Sequence, residues 1–225
     1  MRKPARFFAL AILALCSVLY PTQGAYAQPF VYALSPGGTM PGSEILKLTS
    51  AGRHEEARAK ATQRIAEQHE DIDAYVGLAW SLVALKRYAE AETWASRGYA
   101  IRKDPRLAQA IGEASYYLGK NETALEMLKE YIASYPEGQR AGLSFFLCGE
   151  LYIRSARYMH ADIAFSAAVR HNPGNPAWWA RLGWARENCK KYFQALAAYE
   201  SALSLNPNLA DAVEGKRRIQ ERTRE

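Results

Sequence analysis

The 225-residue chain has little of the chemistry from which metal centres are built. It contains three cysteines and four histidines, and His54, His69, His160 and His171 are scattered along it. No two histidines are four residues apart, and none is joined by cysteines or acids in a zinc-binding pattern. We therefore expect no metal and no cofactor.

Sequence signatures of catalysis are also absent. There is no glycine-rich phosphate loop and no Gly-x-Ser-x-Gly nucleophile turn. No cluster of nucleophile, base and orienting group can be assembled from neighbouring motifs. The sequence predicts a protein that is not an enzyme.

The excess of positive charge is confined to the two ends of the chain. The sequence has 29 Lys and Arg against 23 Asp and Glu, but three of the basic residues lie within positions 1–27. Five more lie from Lys216 onward, with only two acids. Residues 28–215 are therefore nearly neutral, which disfavours nucleic acid as a partner.

Only one long apolar run occurs, from Phe7 to Leu19. Basic residues precede it and Ala25-Tyr26-Ala27 follows, which is typical of a signal peptide over 1–27 that is cleaved near Ala27-Gln28. The run is shorter than the ~20 residues of a membrane span. We expect a periplasmic protein. Anchoring as a lipoprotein at Cys16 stays open but is less favoured, because the preceding Leu15 is not small.

An alanine recurs along the rest of the chain at a nearly constant interval. The five positions are separated by 34, 33, 37 and 34 residues: Ala57, Ala91, Ala124, Ala161 and Ala195. A period of this length indicates a stacked helical solenoid, an architecture that usually binds partners.

The last two units show the pattern within each period. One has Trp179, Leu182 and Gly183 on one helix face, then Ala195, Tyr199 and Ala202 on the next, and Pro207 at its end. The other has Phe145, Gly149, Ala161, Phe165 and Pro173 in step. This pattern resembles the tetratricopeptide repeat, and it departs from that family at Arg186, where a tyrosine is usual.

The resemblance implies an all-α, right-handed superhelical solenoid. About five repeats are expected over 43–209, at 43–71, 72–104, 105–138, 142–175 and 176–209, with an insertion near Glu137–Ala141. Residues 210–225 are expected to form a capping helix, with a minor alternative as a basic tail for anionic lipid or an acidic partner. Residues 28–42 are expected to form an extended arm that packs on the first repeat or occupies a groove of this protein or a partner.

In this family the first helix of each unit lines a concave surface, which gives the candidate partner-binding residues. They are Trp80, Val83, Glu113, Tyr116, Tyr117, Phe146, Glu150, Arg154, Arg181, Trp184, Glu187 and Asn188. The expected function is a non-enzymatic scaffold of the bacterial cell envelope that binds a peptide segment in an aromatic groove.

Two other functions stay open. One is a periplasmic carrier of an apolar small molecule that works with a transport system, and the other is a self-associating structural module. Cys148 and Cys189 are expected to be free thiols, since they differ by seven repeat positions, about 10 Å along a helix. A disulfide needs Cα atoms within about 7 Å.

Overall fold

The computed structural model describes residues 42–222, so the predicted signal peptide, residues 28–41 of the arm and the last three residues lie outside it. The described chain consists of α-helices joined by short turns, and it contains no strand. The helices are α1 (Gly42–Ser50), α2 (His54–Glu67), α3 (Ile72–Ala84), α4 (Tyr88–Ile101), α5 (Pro105–Tyr117), α6 (Asn121–Ser134), α7 (Ala141–Arg154), α8 (Tyr158–His171), α9 (Pro176–Asn188), α10 (Tyr192–Leu205) and α11 (Ala210–Arg222).

The helices form hairpins that stack in chain order. Each odd-numbered helix from α1 to α9 packs against the even-numbered helix that follows it, and that second helix also packs against the next hairpin. First helices contact one another between hairpins: α1 with α3, α3 with α5, α5 with α7 and α9 with α11. No two second helices within residues 42–222 pack together in this way. The first helices therefore form the inner face of the stack and the second helices form its outer face.

Every hairpin turns through one residue with positive φ. These residues are Gly52, Lys86, Gly119, Ala156 and Lys190, with φ between 55° and 77°. The N–H of the next residue donates to the carbonyl five residues earlier, as from Lys191 to Arg186 at 2.9 Å. This is the Schellman arrangement, which satisfies the last carbonyls of the first helix and reverses the chain.

Polar residues before three of the first helices explain where those helices begin. The side chain of Asp71 accepts from the amide of Ala74 at 3.2 Å, and Asp104 and Asn175 cap α5 and α9 in the same way. Proline occupies the first position of α5 and α9, where its missing N–H costs nothing.

Small residues on one helix face large ones on its partner throughout the core. The five periodic alanines are fully buried. A Cβ added at Gly149 would lie 2.5 Å from the ring of Phe165, and one at Gly183 would lie 2.7 Å from Tyr199. These contacts hold the two backbones of a hairpin closer than any larger residue permits.

None of the described helices combines the length and apolar character that crossing a bilayer requires.

Both described cysteines are free thiols, and burial raises the pKa of Cys148 to about 12.

Candidate functional site

The first group of predicted binding residues forms a buried polar network between α3, α5 and the turn before α7. The indole N–H of Trp80 donates to Gln109 Oε1 at 2.7 Å, and Gln109 Nε2 donates to Glu113 Oε2 at 2.7 Å. Arg140 Nη1 completes the chain with a 2.7 Å ion pair to Glu113, and its guanidinium lies 4.7 Å from the centre of the Trp80 ring.

This network corrects the expectation that Trp80, Val83 and Glu113 line an accessible groove, because all three are buried. The physical reason is Arg140, which the predicted insertion near Glu137–Ala141 carries into place. Its guanidinium covers the indole and neutralises the Glu113 carboxylate, so both can leave water. The 37-residue step in the repeat period thus supplies the residue that closes this part of the inner face.

Phe146 is partly buried by contacts with neighbouring rings. Its ring stacks on Trp178 with centroids 5.1 Å apart and planes 13° apart, and it also contacts Phe165 at 5.5 Å. Phe146 therefore packs between hairpins, joined to the core clusters on both sides.

An accessible group, which we call the tyrosine cluster, comprises Tyr88, Tyr116, Tyr117 and Arg154. Tyr88 and Tyr117 stack with centroids 4.4 Å apart, and Tyr116 meets Tyr117 edge-on at 5.2 Å. Arg154 lies over Tyr116 at 4.2 Å and donates to Asn121 Oδ1 at 2.8 Å. Tyr117 is 49% exposed, an unusual position for a large aromatic ring.

A second accessible group, the tryptophan cluster, comprises Tyr158, Arg181 and Trp184. Tyr158 meets Trp184 edge-on at 5.7 Å, and the Arg181 guanidinium lies 5.2 Å from the Trp184 ring. Glu150 holds Arg181 through two hydrogen bonds of 2.6 and 2.8 Å. Since Glu150 and Arg154 are one turn apart on α7, this helix connects the two clusters.

The inner face ends in a cavity of about 210 Å³ between α9 and α11. Its lining is Ala180, Arg181, Trp184, Tyr199, Asp211, Glu214 and Arg218. Beside it Glu187 accepts from Arg218 at 2.9 and 2.8 Å and from the Tyr199 hydroxyl at 2.7 Å. Asn188 is exposed and donates to the Trp184 carbonyl at 2.8 Å.

Burial changes the acidity of the tyrosine hydroxyls in the tyrosine cluster. Desolvation raises the pKa values of Tyr116 and Tyr117 above the ordinary value of 10.0. Both hydroxyls therefore stay protonated at neutral pH and offer hydrogen-bond donors beside apolar ring faces.

Comparison with known proteins decides the family. Three family models, each described as tetratricopeptide repeat, match residues 48–108, 110–138 and 176–209, which is more than half of the chain. The chain belongs to the tetratricopeptide-repeat family.

Solved structures of other tetratricopeptide-repeat proteins have a similar fold. YrrB, described as having an unusual peptide-binding site, has a TM-score of 0.61 at 18% identity over 78% of this chain and 89% of YrrB. MamA of AMB-1 has a TM-score of 0.61 at 18% identity over 73% of this chain and 96% of MamA. MamA from Desulfovibrio magneticus RS-1 has a TM-score of 0.60 at 16% identity over 75% of this chain and 94% of that MamA chain. The predicted all-α superhelical fold is confirmed.

The comparison with curated proteins found no match. The family itself is a non-enzymatic fold of protein interaction, so this tetratricopeptide-repeat protein is a protein-interaction scaffold. Within residues 42–222 no group of three or more His, Cys, Asp or Glu side chains is arranged to hold a metal ion.

The departure from the family pattern at Arg186 has a structural explanation. Arg186 Nε donates to Asp162 at 2.9 Å, and Lys191 Nζ donates to the other oxygen of the same carboxylate at 2.7 Å. The guanidinium also donates to the Gln194 carbonyl at 3.3 Å. The arginine thus ties α8 to α10 in place of the usual tyrosine.

Sequence reasoning missed Tyr88 and Tyr158 as members of the accessible clusters. Both are the first residue of a second helix and fit the buried repeat pattern. Their shared signal is an aromatic residue directly after a basic residue at the hairpin turn, Arg87 and Arg157 respectively.

Proposed function

We propose that this protein is an exported scaffold that captures a peptide segment of a partner on its inner face. The observation that carries the proposal is the half-exposed Tyr117 in a stacked aromatic cluster, linked through α7 to Trp184. Tyrosine, tryptophan and arginine are the residues that most often anchor protein interfaces. The peptide-binding site named for YrrB supports the same use of the fold by analogy.

The two clusters offer a particular combination of contacts. In the tyrosine cluster the Tyr116 ring lies beside Arg154. In the tryptophan cluster the Trp184 ring lies beside Arg181, which Glu150 holds by hydrogen bonds. Ion pairing and stacking already order these side chains, so little conformational entropy is lost when a partner binds. We expect a segment that alternates apolar and polar side chains along the inner face.

Export is a separate part of the proposal, and residues 1–27 support it through their basic start, apolar run and Ala25-Tyr26-Ala27 site. Expressed in a Gram-negative cell, the protein should be recovered from the periplasm with Gln28 at its amino terminus. Recovery with residues 1–27 intact from the cytoplasm contradicts export, and a lipid-modified Cys16 favours the anchored alternative.

The binding experiment compares pull-downs from envelope extracts. A Tyr117→Ala/Trp184→Ala variant removes one ring from each accessible cluster, and a Glu122→Ala/Glu126→Ala variant on the exposed face of α6 is the matched control. The proposal predicts a discrete protein band that is lost with the first variant and kept with the control. Circular dichroism checks that both variants fold.

Either of two results contradicts binding at the inner face. A band retained by the Tyr117→Ala/Trp184→Ala variant moves the interface elsewhere on the molecule. A band that proves to be a second copy of this chain supports the self-associating module.

The carrier of an apolar small molecule is less well supported. Four of the seven residues that line the inner-face cavity are charged: Arg181, Asp211, Glu214 and Arg218. Its volume of about 210 Å³ is below the roughly 300 Å³ at which pockets for small molecules begin. A peptide segment that carries polar groups suits this lining better.

A further inference from the structure

The three most exposed large apolar side chains of the described residues lie on two neighbouring second helices. Phe193 on α10 is 85% exposed, and Ile163 and Met159 on α8 are 70% and 57% exposed. Met159 and Ile163 are four residues apart, so they share one face of α8. We call Met159, Ile163 and Phe193 the outer apolar patch.

The repeats supply an internal comparison for this patch. Its members occupy the second or sixth position of a second helix, and the same two positions can be read in the other hairpins. Those positions hold Glu55 and Ala59 in α2, Ala89 and Thr93 in α4, and Glu122 and Glu126 in α6. Large apolar residues at these positions are thus confined to the last two hairpins, and the fold does not require them.

Hydrogen bonds from α9 and from the turn after it link the two helices of the patch. Arg186 bonds both to Asp162 on α8 and to the Gln194 carbonyl on α10, and Lys191 reaches Asp162 as well. Ile163 and Phe193 each adjoin a residue of this bridge in sequence. The outer apolar patch therefore draws its residues from two hairpins that this bridge links.

The charge around the patch is positive. Arg170 lies seven residues after Ile163 on the same face of α8, and Lys190 precedes Phe193 by three residues. Both are exposed, and neither has a carboxylate partner among residues 42–222. Asp162, which precedes Ile163 in sequence, is buried and held by two cations. Farther along α10, Glu200 is paired with Lys216.

We infer that the outer face of the last two hairpins rests on an anionic lipid bilayer, with Phe193, Ile163 and Met159 inserted at the interface and Arg170 and Lys190 on the headgroups. This goes beyond the proposed function, because it uses the opposite face from the peptide-binding clusters. Membrane association of this kind combines a small inserted apolar area with attraction between cations and anionic lipid.

The size of the patch favours lipid over a second copy of the chain. A stable protein interface buries about 800 Å² on each partner. Three partly exposed side chains present at most a few hundred Å². Side chains that project from a convex surface enter a fluid interface without needing a matching pocket.

The test is co-sedimentation with phosphatidylcholine vesicles prepared with and without phosphatidylglycerol. Residues 28–225 are used, because the apolar run Phe7–Leu19 binds lipid by itself and this piece keeps every described helix. We expect binding to the anionic vesicles, little binding to the neutral ones, and a decline as salt is added.

Two pairs of variants separate the apolar and the charged contribution. Phe193→Ser/Ile163→Ser should lower the partition coefficient by about tenfold, while Ile101→Ser/Leu118→Ser, also exposed apolar positions, should change it less than about twofold. Arg170→Glu/Lys190→Glu should lower it by more than about tenfold, while Lys47→Glu/Lys129→Glu should have a much smaller effect.

Three outcomes overturn the inference. The first is that the wild-type chain does not sediment with anionic vesicles. The second is that each control pair weakens binding as much as its test pair. The third is that the patch variants abolish a homodimer or a complex with an acidic protein and leave lipid binding unchanged. Since Tyr117 and Trp184 are untouched in every variant, failure here leaves the proposed peptide binding standing.

Discussion

Three hairpin turns contain a residue other than glycine at positive φ, namely Lys86 (61°), Ala156 (55°) and Lys190 (60°). This region costs an L-residue roughly 1–2 kcal/mol. Replacing Lys190 with glycine removes that strain but adds freedom to the unfolded chain. We expect Lys190→Gly to raise the free energy of unfolding by about 0.5–1 kcal/mol, measured by urea denaturation.

The opposite substitution at an equivalent turn is the control. Gly119 has φ 77° with no neighbouring atom within 4 Å of an added Cβ, so Gly119→Ala tests backbone strain alone. It should lower stability by about 1 kcal/mol. If Lys190→Gly and Gly119→Ala change the free energy of unfolding equally and in the same direction, these turns do not store backbone strain.

Gly149 tests the close approach within a hairpin. An added Cβ would lie 2.5 Å from the Phe165 ring, which is fully buried and cannot move away. Gly149→Ala should therefore destabilise by about 1–3 kcal/mol in thermal or urea unfolding. In the second predicted repeat, Ala79 and Ala95 occupy the corresponding positions. The double variant Gly149→Ala/Phe165→Leu should consequently lose less stability than the sum of the losses of the two single variants.

Single residues were predictable from the sequence where the repeat fixes their environment. The buried alanines and the small residues Gly149 and Gly183, where two helices approach closely, follow from the period. The sequence did not reveal that Arg140 lies over the buried Trp80 ring or that Trp178 stacks on Phe146. Both covering residues come from outside the helix concerned, and the repeat pattern leaves their side chains unspecified.

At the scale of elements, Asp162 joins two hairpins and makes their association sensitive to acid. Burial alone would raise its pKa, but hydrogen bonds and charges from Lys191 and Arg186 lower the pKa below the ordinary value of 3.8. The unfolded chain therefore binds a proton at a higher pH than the folded chain. This contribution to stability is complete above the unfolded pKa and is lost as pH falls through the folded pKa.

We therefore expect the free energy of unfolding to decline as pH falls from about 5 to 3. Asp162→Asn should lose about 1–2 kcal/mol at neutral pH and show a shallower decline. Urea denaturation at a series of pH values measures both. Lines of equal slope for the wild type and the variant contradict a lowered pKa at Asp162.

The terminal helix α11 is expected to protect the last hairpin. Ile219 is buried, Gly215 lies directly against the Tyr199 ring, and Arg218 pairs with Glu187. Ending the chain at Leu209 exposes Tyr199 and leaves Glu187 without its cation. Hydrogen exchange should then speed up mainly in α9 and α10. Ile219→Ala, which keeps the helix, should destabilise by about 2–4 kcal/mol.

Uniform exchange across all the helices after truncation would contradict a local cap and indicate a single cooperative unit.

Elements were the most predictable level, since helical periodicity and turn residues are encoded locally. The pairing of Arg186 with Asp162 was not predictable, because its partner lies 24 residues earlier on a different hairpin.

For the whole molecule, the two faces of the stack carry different surfaces. The inner face offers stacked rings around Tyr117 and a ring beside the Arg181–Glu150 ion pair at Trp184. The outer face of the last two hairpins offers Phe193 and Ile163, with Arg170 and Lys190 that have no carboxylate partner within residues 42–222. The two proposed partners, a peptide segment and a membrane, would therefore occupy opposite faces. The family and the fold follow from the repeat period, while the partner depends on surface residues that the period leaves free.

Site-specific photocrosslinking in intact bacterial cells tests directly whether the inner face captures a peptide segment of a partner. A photoreactive phenylalanine analogue replaces Tyr117 or Trp184 on the inner face, and Glu126 on the exposed face of α6 serves as the matched position. We expect one partner protein that is crosslinked from both inner positions and absent from the Glu126 position. The same partner crosslinked from Glu126 but from neither inner position would contradict peptide capture on the inner face.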